Sequence, residues 1–136
     1  MIFVTVGSFE FDELARKMDE LALKTTEEII IQIANGSYVP INCKYFKTTN
    51  TIKDYYEKAD LIISHGGTGT VLEVLELGTP LISLANPSLK DNHQHEFLEL
   101  MESRNFLIYC RNLDDLGNLI LEKRSFKTRT NKIDFY

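Results

Sequence analysis

DLIISHGGTGTVLEVLE, residues 60–76, decides how this chain folds. Leu61, Ile62 and Ile63 form an apolar run without polar alternation, the pattern of a strand buried on both faces of a parallel sheet. Ser64, His65, Gly66, Gly67, Thr68, Gly69 and Thr70 interrupt that run. Behind them Val71, Leu72, Val74, Leu75 and Leu77 make one apolar flank of a helix, with Glu73 and Glu76 off it. A strand, a glycine turn and a helix bring unpaired backbone N–H groups and the positive end of a helix dipole to one place, which suits an anion. Glycines let a phosphate reach the main chain with no side chain in the way.

Outward from that stretch the pattern repeats. Residues 2–6 are a β-branched apolar strand and Gly7-Ser8 is its turn. Phe11, Leu14, Ala15, Met18, Leu21 and Ala22 recur at helical spacing, which predicts a helix over 12–24. A second buried strand covers 29–33 and Asn35-Gly36 closes it. Residues 37–50 are the least legible, with a short strand expected over 44–46 and a short helix over 52–58. Beyond the glycine turn, Gly78 ends the helix and Pro80 opens a strand over 81–84. A helix over 91–103, a strand over 106–109 and an amphipathic helix carrying Leu113, Leu116, Leu119 and Ile120 complete the domain. From Lys123 the chain turns basic and polar, so the reading is one domain over 1–122 and a tail over 123–136. Strands alternating with helices argue an α/β fold, a parallel sheet covered on both faces. Ligands of such sheets sit beyond the carboxyl ends of the strands, where Gly7-Ser8, residues 64–70 and the loop 85–94 converge.

At 136 residues and 43% hydrophobic, one domain with a real core is expected. No apolar run is long enough for a membrane span, and no basic region precedes the first strand, so the expectation is a cytoplasmic protein. Cys43 and Cys110 sit in apolar, strand-like settings and are expected as buried free thiols. The net charge of −5 argues against nucleic acid as a partner, and leaves local dipoles to hold any phosphate. No Lys-Ser or Lys-Thr follows the glycines, so this is not a Walker loop, and Leu72 stands where a dinucleotide fingerprint needs a third glycine. The sequence has no Asp-x-Asp pair and no His/Cys ligand cluster, so no metal is expected.

The order SHGGTGT, a glutamate at 73, a Gly-Thr-Pro strand entry at 78–80 and then NPSLKDNHQHE closely resembles the donor-binding half of family 28 glycosyltransferases. The opening VTVGSFEFDEL is similar to that family's first strand, turn and helix. The likeness spans residues 2 to about 120 and is strongest to the small subunits of two-chain members, in the dolichol pathway and in bacterial exopolysaccharide synthesis. It implies a Rossmann-like domain equivalent to the C-terminal half of a GT-B enzyme. The implied activity is inverting transfer from a UDP-sugar to a lipid-linked acceptor, with a separate membrane-anchored subunit binding the acceptor. The chain would then lie at the membrane only through that partner.

By the same resemblance, Gly7, Ser8, Gly66, Gly67, Thr68, Gly69 and Thr70 surround the donor diphosphate. His65 faces a phosphate oxygen or the acceptor side and is the candidate catalytic residue. Glu73 accepts hydrogen bonds from the ribose diol, a task that suits an acceptor-only carboxylate. Asn92, His93 and Gln94 touch the sugar or its phosphates, with Asp91 as a helix cap and His95 and Glu96 less closely tied to the site. The bland alternatives are a strand–helix packing turn for the glycines, capping for Thr68 and Thr70, and a solvated helix face for Glu73. Relatives carry a threonine-rich turn where Ser8 follows Gly7, and a helix-ending glycine where Ser103-Arg104-Asn105 stands, a departure expected to affect turn shape only. Two other functions share this architecture: a non-catalytic UDP-sugar-binding module and a UDP-sugar epimerase.

Overall fold

The structure, a computed structural model, describes residues 1–87, 89 and 93–125. Its elements follow in strict alternation for most of the chain: β1 (Ile2–Thr5), α1 (Asp12–Ala22), β2 (Ile29–Gln32), β3 (Lys44–Phe46), α2 (Ile52–Lys58), β4 (Leu61–His65), α3 (Thr68–Leu77), β5 (Leu81–Leu84), α4 (His93–Ser103), β6 (Ile108–Tyr109) and α5 (Leu116–Ser125). A 3-10 turn, Leu113–Asp115, leads into α5. The strands form one parallel sheet in the order β3-β2-β1-β4-β5-β6. The chain therefore builds outward from β1 through β2 and β3, then restarts beside β1 with β4.

Both faces of the sheet are covered, which is why its strands read as unbroken apolar runs. Ile2, Val4, Leu61 and Ile63 pack with Leu14 and Met18 of α1 and Leu116 of α5. One residue out of register, Phe3, Ile62 and Leu81 face the other side, against Tyr56 of α2, Val71 and Val74 of α3 and Leu98 of α4. Each such side chain, buried to 2% exposure or less, contributes about 1.5–3 kcal/mol. Among the described residues no helix is long and apolar enough to cross a membrane.

Several details differ from the sequence reading. Ser64 and His65 belong to β4, not to the turn, because their backbones stay paired in the sheet opposite Ser83 and Leu84. Helix α5 runs on to Ser125, so the first three residues of the expected tail are helical. Asp91 and Asn92 lie outside the described residues, and α4 is described from His93. As expected, Gly78 ends α3 in the left-handed region at φ 76°. Asn105 does the same after α4 at φ 62°, with its amide on the Glu102 carbonyl and the Phe106 amide on that of Met101. Asparagine tolerates this conformation, so the missing glycine changes the residue and not the stop. The illegible segment after β2 is held by Asp19, whose buried carboxylate accepts from the Tyr38 hydroxyl at 2.5 Å and from the amides of Ile41 and Asn42. Cys110 is buried and Cys43 half-buried, and both are free thiols. Burial pushes their pKa values up, to about 12 for Cys43 and about 11 for Cys110.

Candidate functional site

Strands β1 and β4 pair in register, with Thr5 opposite Ser64. The turns that follow them therefore leave the carboxyl edge side by side, where the two halves of the sheet diverge. In open parallel sheets this divergence opens a crevice for ligands.

His65, the last residue of β4, fills the base of that crevice. A Cβ on Gly7 would lie 2.3 Å from its Nε2, and a Cβ on Gly67 2.2 Å from its Cε1. Only glycines let both turns close on the ring, and Gly7 also needs glycine for its φ of 75°. The Gly67 N–H donates to His65 Nδ1 at 3.1 Å. Burial lowers the imidazole pKa to about 4, so the ring is neutral at physiological pH. With Nδ1 accepting, the ring proton sits on Nε2, which lies 3.3 Å from the Thr70 hydroxyl.

Gly67 is the N-cap of α3 and offers no side chain to cap it. The N–H groups of the first helical turn have no intrahelical partner, and Thr68 and Gly69 carry theirs at an exposed edge. A Cβ on Gly69 would meet nothing within 4 Å, so space is open there. At Gly66 a Cβ would meet Leu98 at 2.8 Å and Gln94 at 3.1 Å, so α4 closes on the turn from the other side. Thus the structure brings together Gly7, His65, Gly66, Gly67, Thr70 and Gln94, with Thr68 and Gly69 at the rim. Ser8 is exposed and its carbonyl accepts from Asn35 Nδ2 at 3.3 Å. Glu73 is exposed one turn along α3, beside a cavity of about 80 Å³ that Tyr56 also lines. His93 is exposed, while His95 turns to β6, 2.7 Å from the Tyr109 hydroxyl. Asn92 lies outside the described residues.

Two residues that hold the site were not singled out from sequence. Gln32 ends β2 with its amide nitrogen on the carbonyls of Gly7 (3.0 Å) and Lys47 (2.9 Å), while its oxygen accepts from the Thr5 hydroxyl at 2.6 Å. It fixes the Gly7 turn. Asn86, 1% exposed, donates from Nδ2 to the Glu10 carbonyl at 2.8 Å and from its amide to Gln94 Oε1 at 2.9 Å. It ties the first turn, the loop after β5 and α4 into one unit. The available signal was a polar residue closing an otherwise apolar strand, at the edge where the glycine turns lie. A larger cavity, about 350 Å³, lies at the opposite edge between α1 and α5, beside Ile2 and Ile29. It is remote from all of these groups. Among the described residues no three His, Cys, Asp or Glu side chains converge as metal ligands would.

Residues 1–133 match the family described as Glycosyltransferase family 28 C-terminal domain. The chain is 34% identical over 125 residues to the human UDP-N-acetylglucosamine transferase subunit ALG13, covering 80% of this chain and 11% of that protein. It is 28% identical over 123 residues to the UDP-N-acetylglucosamine--N-acetylmuramyl-(pentapeptide) pyrophosphoryl-undecaprenol N-acetylglucosamine transferase of Rickettsia bellii, covering 87% of this chain and 34% of that enzyme. Its fold matches that of Acinetobacter baumannii MurG with a TM-score of 0.71 at 20% identity, over 89% of this chain and 40% of the other. The chain thus spans about a tenth of the first relative and a third of the second. With glycine turns at the β1/β4 divergence and a match that runs nearly end to end, this chain belongs to the glycosyltransferase family 28 C-terminal domain family.

Proposed function

We propose that this chain is the donor-binding component of a UDP-sugar transferase that acts on a lipid-linked acceptor, with a membrane-anchored second subunit binding the acceptor. The observation that carries this reading is the convergence of the Gly7 turn, the Gly66-Gly67 turn between β4 and α3, and Gln94 around His65. The relatives support it by name: one is a subunit of a UDP-N-acetylglucosamine transferase, the other uses a pyrophosphoryl-undecaprenol acceptor.

The chemical difficulty in such a transfer is the negative charge that gathers on the departing UDP. The amides of Thr68 and Gly69 and the α3 dipole meet it without reorganising, each well-aimed donor contributing about 2–4 kcal/mol. His65 joins them as a neutral donor, because its Nε2–H is free to pass from the Thr70 hydroxyl to a phosphate oxygen. Its Nδ1 is occupied by the Gly67 amide, so it is not the base that takes the acceptor's proton. That base comes from the partner. Glu73 takes the ribose diol, and by the family resemblance the sugar falls to Asn92, His93 and Gln94. The chemistry assigned to these residues needs no metal.

Calorimetric titration with UDP tests the site, and turnover with and without the acceptor-binding subunit tests the division of labour. UDP binding by the lone chain with turnover only in the pair is expected. Failure to bind UDP refutes the nucleotide site, and robust turnover by the lone chain refutes the split enzyme. UDP binding with no turnover in any pairing identifies a regulatory module, and isomerisation of the UDP-sugar without acceptor identifies an epimerase.

A further inference from the structure

Gln94, assigned above to the sugar, lies in the first turn of α4, and helix ends fray. Affinity for a ligand that touches such a turn depends on how far the turn is ordered beforehand. Two polar contacts order this one. On one side the Asn86 amide donates to Gln94 Oε1 at 2.9 Å. On the other the Tyr109 hydroxyl lies 2.7 Å from His95 Nδ1, with the two ring centroids 5.6 Å apart. Tyr109 is the last residue of β6 and is buried. Its amide donates to Glu102 Oε2 at 2.7 Å, and the Arg111 guanidinium sits 4.4 Å from its ring centre. Backbone and ring are thus held without help from the hydroxyl.

We propose that Tyr109 is a positioning residue for the donor sugar: its hydroxyl, bonded to His95, holds the first turn of α4 and so keeps Gln94 in place beside the glycine turn. His95 Nε2 lies 3.1 Å from Glu99 Oε1. A carboxylate only accepts, so Nε2 carries a proton and, in the neutral ring, Nδ1 accepts from the phenol. Glu99, His95 and Tyr109 therefore form one hydrogen-bonded line from α4 to the edge of the sheet. Gln94 is the next residue along and closes on the glycine turn, where a Cβ on Gly66 would lie 3.1 Å from its own Cβ. The Asn86 amide occupies its Oε1, so the side chain has its N–H2 to offer a sugar hydroxyl. A phenylalanine at 109 would keep the place in the apolar cluster with Leu98 and Met101 and the face turned to Arg111. Packing alone gives no reason for the hydroxyl.

The inference rests on the reading of Gln94 as a sugar ligand, and two readouts separate them. Hydrogen exchange at the Asn86 amide reports whether Gln94 stays in place and needs no ligand. Titration with UDP and with UDP-N-acetylglucosamine, the sugar nucleotide in both relatives' names, reports the sugar contact. Tyr109→Phe and His95→Leu are expected to speed exchange at Asn86 about three- to tenfold, with exchange at Ile31 in β2 unchanged. Both should weaken UDP-N-acetylglucosamine binding about three- to tenfold and leave UDP binding as in the wild type. His95→Asn, which returns an acceptor near the position of Nδ1, should recover most of each loss. Gln94→Ala should show the same sugar-dependent loss, and adding Tyr109→Phe to it should weaken binding no further. Wild-type exchange at Asn86 in Tyr109→Phe overturns the positioning role, as does equal acceleration at Ile31 or an equal loss for UDP. So does wild-type UDP-N-acetylglucosamine affinity in Tyr109→Phe beside a weakened Gln94→Ala. Wild-type affinity in Gln94→Ala itself refutes the sugar reading instead.

Discussion

Alanine at Gly67 separates steric cost from backbone cost, because its φ of −64° and ψ of 129° suit any residue. All of the penalty must come from the Cβ, which would sit 2.2 Å from His65 Cε1 and 2.9 Å from Nδ1. Carbon atoms in contact keep about 3.5–4.0 Å, so the overlap exceeds an ångström. The imidazole is buried, with one nitrogen on the Gly67 amide and the other beside Thr70, so it cannot swing aside without losing those bonds. Overpacking of this kind costs about 1–3 kcal/mol, and a broken buried hydrogen bond adds about 1. The expectation for Gly67→Ala is a loss of about 2–4 kcal/mol in urea unfolding. Gly7→Ala presses on the same ring, 2.3 Å from Nε2, and also forces alanine to φ 75°, about 1–2 kcal/mol more. In a His65→Ala background the obstruction is gone. Gly67→Ala should then be nearly neutral, while Gly7→Ala should keep its backbone penalty. A cost for Gly67→Ala below about 0.5 kcal/mol, or one unchanged by His65→Ala, refutes the placement of the ring.

Acid should reach the same residue. His65 has a folded pKa near 4 against 6.5 unexposed to the fold, so between those values the unfolded chain binds more protons. Its contribution is whole above pH 6.5 and is lost as pH falls towards 4, roughly 3 kcal/mol in all; His65→Asn should flatten that slope of stability against pH, and an identical slope refutes the assignment. Asp19→Ala leaves the Tyr38 hydroxyl and the amides of Ile41 and Asn42 without their acceptor, which should cost about 2–4 kcal/mol in thermal unfolding; a loss under 1 would show that the loop holds itself. Gly69→Ala meets no atom within 4 Å and lies inside a helix, so it should stabilise the fold by about 0.5–1 kcal/mol. Its Cβ nonetheless enters the space assigned to the diphosphate, so UDP should bind about tenfold more weakly, and unchanged affinity would move the phosphate elsewhere.

The elements were legible because their causes are local. The run Leu61, Ile62, Ile63 needs only its own residues to announce a strand covered on both faces, and the spacing of Leu14, Met18 and Leu21 needs only 3.6-residue periodicity. The stop at Gly78 likewise follows from its neighbours in the chain, whereas the short strand Lys44–Phe46, exposed along most of its length, owes its existence to pairing with β2. The segment after β2 was opaque because its anchor, the Asp19 carboxylate, lies 22 residues before Ile41 and forms no pattern with it.

By itself, the sequence determined an α/β alternation, glycine turns after two of the strands, and a family likeness that names a nucleotide-sugar chemistry. Only the tertiary structure decided that β1 and β4 are neighbours, and hence that the Gly7 and Gly67 turns close on one imidazole. It also decided the ring's tautomer, through the Gly67 amide, and the part of Asn86, which reaches the Glu10 carbonyl 76 residues away. The physical reason is the range of the forces involved. Hydrophobic periodicity and glycine's backbone freedom act within a few residues, whereas strand pairing and buried hydrogen bonds depend on which distant groups burial forces to satisfy one another.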